Sequence, residues 1–459
     1  MSLERKLFGT DGIRGVAGAF PLDPETTVAI GRALARHLAR AAGRRRVVIG
    51  QDTRESSESI ANSVATGLAA QGVEVASAGV ITTPGIAHLA RCRQFDAGIV
   101  ISASHNPWTD NGIKVFGPDG YKLPDEIELE VEHEIFAGIE KASNGGEPRH
   151  QAAASTLPGD PELRRDYVEH LIAGVRPVGR GLKLVVDCAH GAASTVAPDV
   201  LARWGKDLAF EFIFIHREPN GENINDHCGA LYPETVARAV VERKADLGIT
   251  FDGDADRALF ADASGKVLNG DAVLLLAARD MQAAGRLRND LVVATTMSNM
   301  GLEAALKRSG IRMLRAQVGD KYVLEEMQRN GATLGGEQSG HIIFLGDATT
   351  GDGLLTALHV LHMVGRSGKS LAELVGDLKV FPQIIKNVRV REKKPLMEIP
   401  EVARSIREAE RALDGNGRVV VRYSGTEALA RVMIEAESED EVHRYADSIV
   451  AALQHALGA

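Results

Sequence analysis

Two short segments of this 459-residue chain carry residues whose types and spacing suit chemistry. The first, Ser102-Ala103-Ser104-His105-Asn106-Pro107, follows the apolar run Asp96–Ile101 and continues to Asn111-Gly112-Ile113-Lys114. A strand that ends in hydroxyl, imidazole and amide groups delivers them to a sheet edge, where open α/β sheets bind ligands. Ser104 is thereby a nucleophile candidate, and Lys114 is near enough in sequence to return as an acid/base or charge-stabilising group. The same segment also reads as a plain turn, because Asn-Pro and Asn-Gly are turn dipeptides. The second segment, Asp252-Gly253-Asp254-Ala255-Asp256-Arg257, places three carboxylates at alternate positions, which point one way in extended backbone. Such close like charges repel, and a cation resolves the repulsion. Hard oxygen donors favour Mg²⁺ or Ca²⁺. An EF-hand is excluded, because its sixth position would be Arg257 rather than Gly and its twelfth Ala263 rather than Glu. Without an ion the segment would be a solvated acidic turn. Mg²⁺ takes few protein carboxylates and completes its shell with water or phosphate oxygen, so the triplet implies a phosphate-bearing partner.

Three further loops are suggestive together, although each alone also reads as a glycine turn. Gly335-Gly336-Glu337-Gln338-Ser339-Gly340-His341 displays a carboxylate, an amide and a hydroxyl suited to vicinal sugar hydroxyls. Arg422-Tyr423-Ser424-Gly425-Thr426-Glu427 combines an arginine, hydroxyls and glycine-freed backbone, the makings of a phosphate cradle. Phe8-Gly9-Thr10-Asp11-Gly12-Ile13-Arg14-Gly15 surrounds Arg14 with glycines, and Arg14 either faces a phosphate or lies on an ordinary surface loop. Gly368-Lys369-Ser370 is no P-loop, because the first glycine required falls on Met363.

The elements that must position these groups alternate. Helices are expected at Pro24–Ala42, capped by Asp23, and at Glu55–Gln71, with strands at Arg46–Asp52, Val73–Val80 and Asp96–Ile101. After a Gly/Pro/Ala/Ser-rich linker at Ser143–Pro158 the pattern restarts. It gives strands at Leu182–Cys188, Phe210–Ile215 and Asp246–Phe251 around helices Ala192–Trp204 and Pro233–Lys244. A third round has strands Leu291–Thr296 and Met313–Ala316 and helices Lys321–Asn330 and Gly353–Val364. Beyond Val380 the texture changes to strands Lys386–Arg391, Arg418–Arg422 and Ala430–Ala436 with helices Ile399–Leu413 and Glu439–Leu457. The expectation is three consecutive α/β domains with mixed, largely parallel sheets (1–155, 156–256 and 257–374), then a C-terminal α+β domain, 375–459.

Bulk properties narrow the function class. The net charge of −9 and the 4% aromatic content argue against nucleic-acid binding. Three widely spaced cysteines fit neither a disulfide framework nor a zinc site, and point to a reducing, cytoplasmic setting. No apolar run is long enough to span a membrane, and no signal peptide is visible.

Taken together, the SASHNP, NGIK, DGDADR, GGEQSGH, RYSGTE and FGTDGIRG segments resemble the α-D-phosphohexomutase superfamily over the whole chain. Ser102 and Gln338 make the chain similar to its phosphoglucosamine mutase branch, where the phosphomannomutase/phosphoglucomutase branch more often reads TASHNP and GEMSGH. The resemblance implies four domains around a central cleft, one Mg²⁺ per subunit, and a glucose or glucosamine 1,6-bisphosphate activator. It implies reversible conversion of glucosamine 6-phosphate to glucosamine 1-phosphate through a bisphosphate intermediate, feeding UDP-N-acetylglucosamine and cell-wall synthesis. Ser104 would be the phosphoserine and would join Asp252, Asp254 and Asp256 as metal ligands. Arg14, Lys114 and His105 would serve the reacting end. Glu337 and Ser339 would hold sugar hydroxyls, and Arg257, Arg422, Ser424, Gly425 and Thr426 would complete substrate binding. A monomer or homodimer is implied, with a C-terminal module that swings. Tyr423 and Ala428 depart from the family's prolines in the phosphate loop and put its stiffness in doubt.

Overall fold

A computed structural model describes residues 6–38, 45–143, 157–423 and 428–458. Two compact units emerge, one of residues 1–297 and 314–375, the other of residues 298–313 and 376–459.

The larger unit is built on open sheets with helices against them. In the first sheet Arg46–Gln51 lies parallel to both Glu74–Val80 and Ala97–Ile101, and Ala97–Ile101 pairs antiparallel with Asp110–Phe116. Asp110–Phe116 in turn pairs with Gly12–Val16, which forms a hairpin with Phe8–Gly9. Two loops of the sequence reading are therefore corrected. The Asn-Gly-Ile-Lys segment is a strand rather than a turn, and the Arg14 segment is a hairpin arm. Their glycines reflect close packing, since a Cβ on Gly112 would lie 2.5 Å from the Ser102 carbonyl oxygen. Val47, Ile49, Ile99, Ile101, Ile113 and Val115 form one core with helices Pro24–Leu38, Ser57–Ala69 and Asp125–Ser143. The expected cap is present, with Thr26 N donating to Asp23 Oδ1 at 2.9 Å. The second half of the helix end and the linker proposed at Ser143–Pro158 fall mostly on residues 39–44 and 144–156, outside the described residues.

The second sheet repeats the scheme, with Lys183–Asp187 parallel to Glu211–Ile215 and Leu247–Phe251, and Ala258–Asp262 antiparallel at the side of Leu247–Phe251. In the third, Leu291–Thr295 is parallel to Leu334–Gly336, which pairs antiparallel with Ile342–Phe344. Gly335 and Gly336 are thus strand residues, and the sugar-loop candidate shrinks to Glu337–His341. Helices Asp125–Ser143, Pro161–Gly174 and Gly270–Ala283 escaped the sequence reading.

The smaller unit is an antiparallel sheet in which Leu429–Ala436 lies between Gln383–Arg389 and Gly417–Tyr423, covered by helices Pro400–Leu413 and Glu439–Leu457. Helix Met300–Arg308 belongs to it. Met300 N donates to the buried Glu435 Oε1 at 2.8 Å, and Asn299 exchanges two hydrogen bonds with the Phe381 backbone. Among the described residues no helix is long and apolar enough to cross a membrane.

Candidate active site

Ser104 stands just past strand Ala97–Ile101, fully buried and in the left-handed region at φ 53°. A non-glycine residue holds that conformation only where its surroundings fix it. Here they do so from three sides. Ser104 N donates to Ser102 Oγ at 2.9 Å, and Ser102 Oγ donates to Asp52 Oδ2 at 2.6 Å. The Ser104 carbonyl accepts from Arg54 Nη2 and from Asn225 Nδ2, each at 2.9 Å. Arg54 also donates to the Asn106 and Pro107 carbonyls and pairs with Asp52 at 2.9 Å, both side chains fully enclosed. Asp52, Arg54 and Asn225 were not read from the sequence as site residues. The one available signal was the polar end of the strand Arg46–Gln51, which mirrors the end that carries Ser104.

The Asp triplet closes over the same serine. Ser104 Oγ donates to Asp252 Oδ2 at 2.6 Å. Asp254 Oδ2 accepts from Lys114 Nζ at 2.8 Å and from Thr83 Oγ1, while Asp256 Oδ2 faces Lys114 at 3.5 Å and His341 Nδ1 at 3.6 Å. Each of these two carboxylates therefore has one oxygen anchored by protein. The other oxygens, Asp254 Oδ1 and Asp256 Oδ1, are buried without a hydrogen-bond partner. The three aspartates each bring an oxygen within 4.8 Å of the others. Three converging buried carboxylates, two of them with an oxygen that makes no hydrogen bond, are an all-oxygen donor set that fits a Mg²⁺-type ion.

Electrostatics agree with that fit. Burial, with Asp256 and Asp254 beside it, pushes the Asp252 carboxyl well above the usual range. Against the cost of burial, Lys114 and His341 hold Asp256 well below it. Burial alone would lower Lys114, but Asp11, Asp254 and Asp256 raise it well above an ordinary lysine, so it stays an ammonium. His105 is pushed down to about 4, by burial first and then by Arg257 and Arg14. Arg257 Nη1 donates to His105 Nδ1 at 2.9 Å, so the neutral ring carries its proton on Nε2. His105 Nδ1 is 3.3 Å from Ser104 Oγ.

A cavity of about 400 Å³ lies beside this centre, lined by Asp11, Arg14, His105, Asp256, Arg257, Asp320, Glu337 and His341 among others. Arg14 reaches Asn106 Oδ1 at 3.3 Å and pairs with Asp11, which also receives Lys114 and Lys122. Glu337 is held by Gly319 N at 3.0 Å and Ser339 Oγ at 3.3 Å. The sequence reading placed Asp11 and His341 inside their loops without giving either a role, and it did not single out Lys122 or Asp320. Arg422 is exposed on strand Gly417–Tyr423 of the smaller unit, and Ser424, Gly425 and Thr426 lie outside the described residues.

A second cluster, Asp187, His216 and Cys228, also gathers ligand-type atoms. Its carboxylate is already satisfied by Ala189 N, Gly229 N, Thr250 Oγ1 and His216 Nδ1. With four donors in place it ties the strand ends of the second sheet together.

Sequence models for the four phosphoglucomutase/phosphomannomutase domains match the chain in order. Alpha/beta/alpha domain I matches residues 5–142, domain II 165–265, domain III 269–381 and the C-terminal domain 385–452. The chain is 60% identical to a phosphoglucosamine mutase of Koribacter versatilis, over 99% of its own length and 98% of the relative's. A solved phosphoglucomutase/phosphomannomutase family protein from Burkholderia thailandensis shares the fold at 24% identity and TM-score 0.77, covering 97% of both chains. So does the Aspergillus fumigatus N-acetylphosphoglucosamine mutase solved with GlcNAc-6P and magnesium. It is 20% identical with TM-score 0.61, over 98% of this chain and 96% of that one.

Proposed function

The chain belongs to the phosphoglucomutase/phosphomannomutase family, and from that membership we propose that it interconverts glucosamine 6-phosphate and glucosamine 1-phosphate through a phosphoserine. It is an intramolecular phosphotransferase, an isomerase. The observation that carries the choice of sugar is the 60% identity to a phosphoglucosamine mutase across nearly the whole of both chains.

The geometry supports a role for each group. In the forward half-reaction the bond from phosphorus to Ser104 Oγ breaks as one forms to the sugar's free hydroxyl oxygen, giving the 1,6-bisphosphate; the hydroxyl gives up its proton and Ser104 Oγ takes one up, so the net proton count is unchanged. The intermediate turns, its other phosphoryl group bonds to Ser104 Oγ, and the isomer departs. When Ser104 attacks, its proton has an acceptor in Asp252 Oδ2, 2.6 Å away. Lys114, held as an ammonium by the carboxylates around it, suits charge stabilisation and is unfit to take a proton from the sugar hydroxyl. His105 offers Nε2–H as a donor, with Arg14 and Arg257 beside it on the cavity wall. Asp252, Asp254, Asp256 and the Ser104 phosphoryl would hold Mg²⁺, whose chemistry is neutralisation of charge on the transferring group. Glu337 and Ser339 would receive ring hydroxyls.

The test compares turnover of glucosamine 6-phosphate with that of glucose and mannose 6-phosphates, followed by phosphorus NMR. Preference for the amino sugar supports the reading. Preference for a neutral sugar makes the chain a phosphoglucomutase or phosphomannomutase, and release of inorganic phosphate without isomerisation makes it a phosphatase.

A further inference from the structure

We infer that Asp320 selects for the 2-amino group of the sugar, a deduction that rests on the amino-sugar reading above. Four carboxylates line the cavity, those of Asp11, Asp256, Asp320 and Glu337. An ammonium arriving in the cavity needs a carboxylate oxygen that is not already committed. Asp11 has Lys122 on Oδ1 and both Lys114 and Arg14 on Oδ2. Glu337 has Gly319 N on Oε1 and Ser339 Oγ on Oε2, and its remaining acceptor sites are the ones proposed above for ring hydroxyls. Asp256 has Lys114 and His341 facing Oδ2, and Arg257 Nε lies 3.8 Å from its Oδ1. Asp320 differs. Lys122 Nζ lies 2.6 Å from Oδ2, His341 Nε2 is 3.7 Å from that same oxygen, and among the described residues no donor reaches Oδ1.

Position supports the same assignment. Asp320 opens helix Asp320–Asn330, directly after Gly319, whose φ of 128° glycine adopts readily and other residues rarely do. That backbone turns the Gly319 N–H onto Glu337 Oε1, so Asp320 and the carboxylate proposed for the ring hydroxyls are held side by side by one hydrogen bond. A pyranose seated with its 3-hydroxyl on Glu337 carries the neighbouring C2 substituent toward the next carboxylate. Lys122 holds Asp320 in place through Oδ2 and leaves Oδ1 to the cavity side. A hydroxyl at C2 brings one neutral donor, whereas an ammonium brings a charge and three donors, so the free oxygen discriminates between them. Turning the sugar for the second half-reaction moves C2 away, so the effect falls mainly on one of the two isomers.

The experiment measures affinities by calorimetry at pH 7 in a Ser104→Ala background, which prevents turnover during titration. Glucosamine 6-phosphate and glucosamine 1-phosphate are each paired with the corresponding glucose phosphate, before and after Asp320→Asn. The expected result is that the amine-over-hydroxyl affinity ratio falls about tenfold or more for one isomer pair, the scale of a hydrogen bond to a charged group. Asp320→Glu, which keeps the charge, restores part of that ratio. Ratios unchanged within twofold for both pairs overturn the assignment. So does parallel loss of both ligands in the two Asp320 variants, which would make Asp320 a structural residue. Failure of the amino-sugar reading is seen separately, as absence of glucosamine phosphate isomerisation by the unmodified protein.

Discussion

Ser104 Oγ lies 2.6 Å from Asp252 Oδ2, a contact that joins the ends of two strands 148 residues apart and puts the proposed nucleophile on the acidic triplet. The triplet is unfavourable on its own, since three buried carboxylates crowd together and two of their oxygens make no hydrogen bond. A cation that binds the folded state should therefore stabilise it. Millimolar Mg²⁺ is expected to raise the melting temperature. Saturation at a hundred times Kd corresponds to about 2.7 kcal/mol. Chelation should reverse the rise, and Asp254→Asn should remove most of it. A melting curve indifferent to Mg²⁺ would refute the metal assignment.

Arg54 is predicted to be as necessary as the nucleophile's own neighbours, although it touches no substrate. It spans Asp52 and three backbone carbonyls of the serine loop, and its pair with Asp52 is fully enclosed. Arg54→Met leaves Asp52 buried without its cation, a change that costs about 3–5 kcal/mol. Arg54→Lys keeps the charge but cannot reproduce the fork, and should retain more stability than turnover. Urea denaturation and kcat measured on the two variants check this; equal loss of both quantities in Arg54→Lys would contradict a positioning role.

Gly253 gives a sharper geometric prediction. A Cβ there would sit 2.5 Å from the Ser104 carbonyl oxygen and 2.9 Å from Asn225 Nδ2. Gly253→Ala should displace the serine relative to the triplet while leaving the sheets intact. Misplacement of a reacting group by about 1 Å costs on the order of a hundredfold, so kcat is expected to fall by that scale with a near-normal circular dichroism spectrum. Wild-type kcat in this variant would mean that the loops do not meet as described.

The role of Gly253 marks how far the sequence could be read. The alternation of apolar runs and helices predicted most of the parallel strands closely, because a buried central strand is a local signal; Leu334–Gly336, read as part of a glycine loop, is the exception. The antiparallel Asp110–Phe116 was missed, because Asn111-Gly112 imitates a turn and only the Ser102 carbonyl explains the glycine. Ser104 and the aspartates were legible because their chemistry is carried by short spacing. The groups that hold them (Asp52, Arg54, Asn225 and Asp11) were not, since each acts across a long interval of chain. Ser102 and Gln338 pointed to the amino-sugar branch, yet neither lines the cavity. Ser102 bridges Asp52 and Ser104 N, and Gln338 turns to Asp271 at 3.3 Å. Neither contact puts its side chain on the cavity wall.

A separate pH response is expected away from the site. His88 stacks on His170 with ring centroids 4.0 Å apart, and burial, then His170 and Arg91, push its pKa down to about 4. The unfolded chain takes up this proton near pH 6.5, well before the folded chain does. The corresponding stability is present above pH 6.5 and lost as pH falls through about 4, roughly 3 kcal/mol in all. Denaturation at successive pH values should show this decline, and His88→Gln should flatten it. An identical acid limb in both proteins would rule out His88 as its source.

The central claim is that Ser104 carries the phosphoryl group between substrate and product. The most direct measurement uses glucose 1,6-bisphosphate labelled with ³²P, followed by phosphopeptide mapping and then a chase with unlabelled glucosamine 6-phosphate. The account predicts label on Ser104, its transfer to glucosamine phosphate during the chase, and neither label nor isomerisation in Ser104→Ala. Isomerisation that persists in Ser104→Ala, or label that leaves Ser104 only as inorganic phosphate, would contradict it.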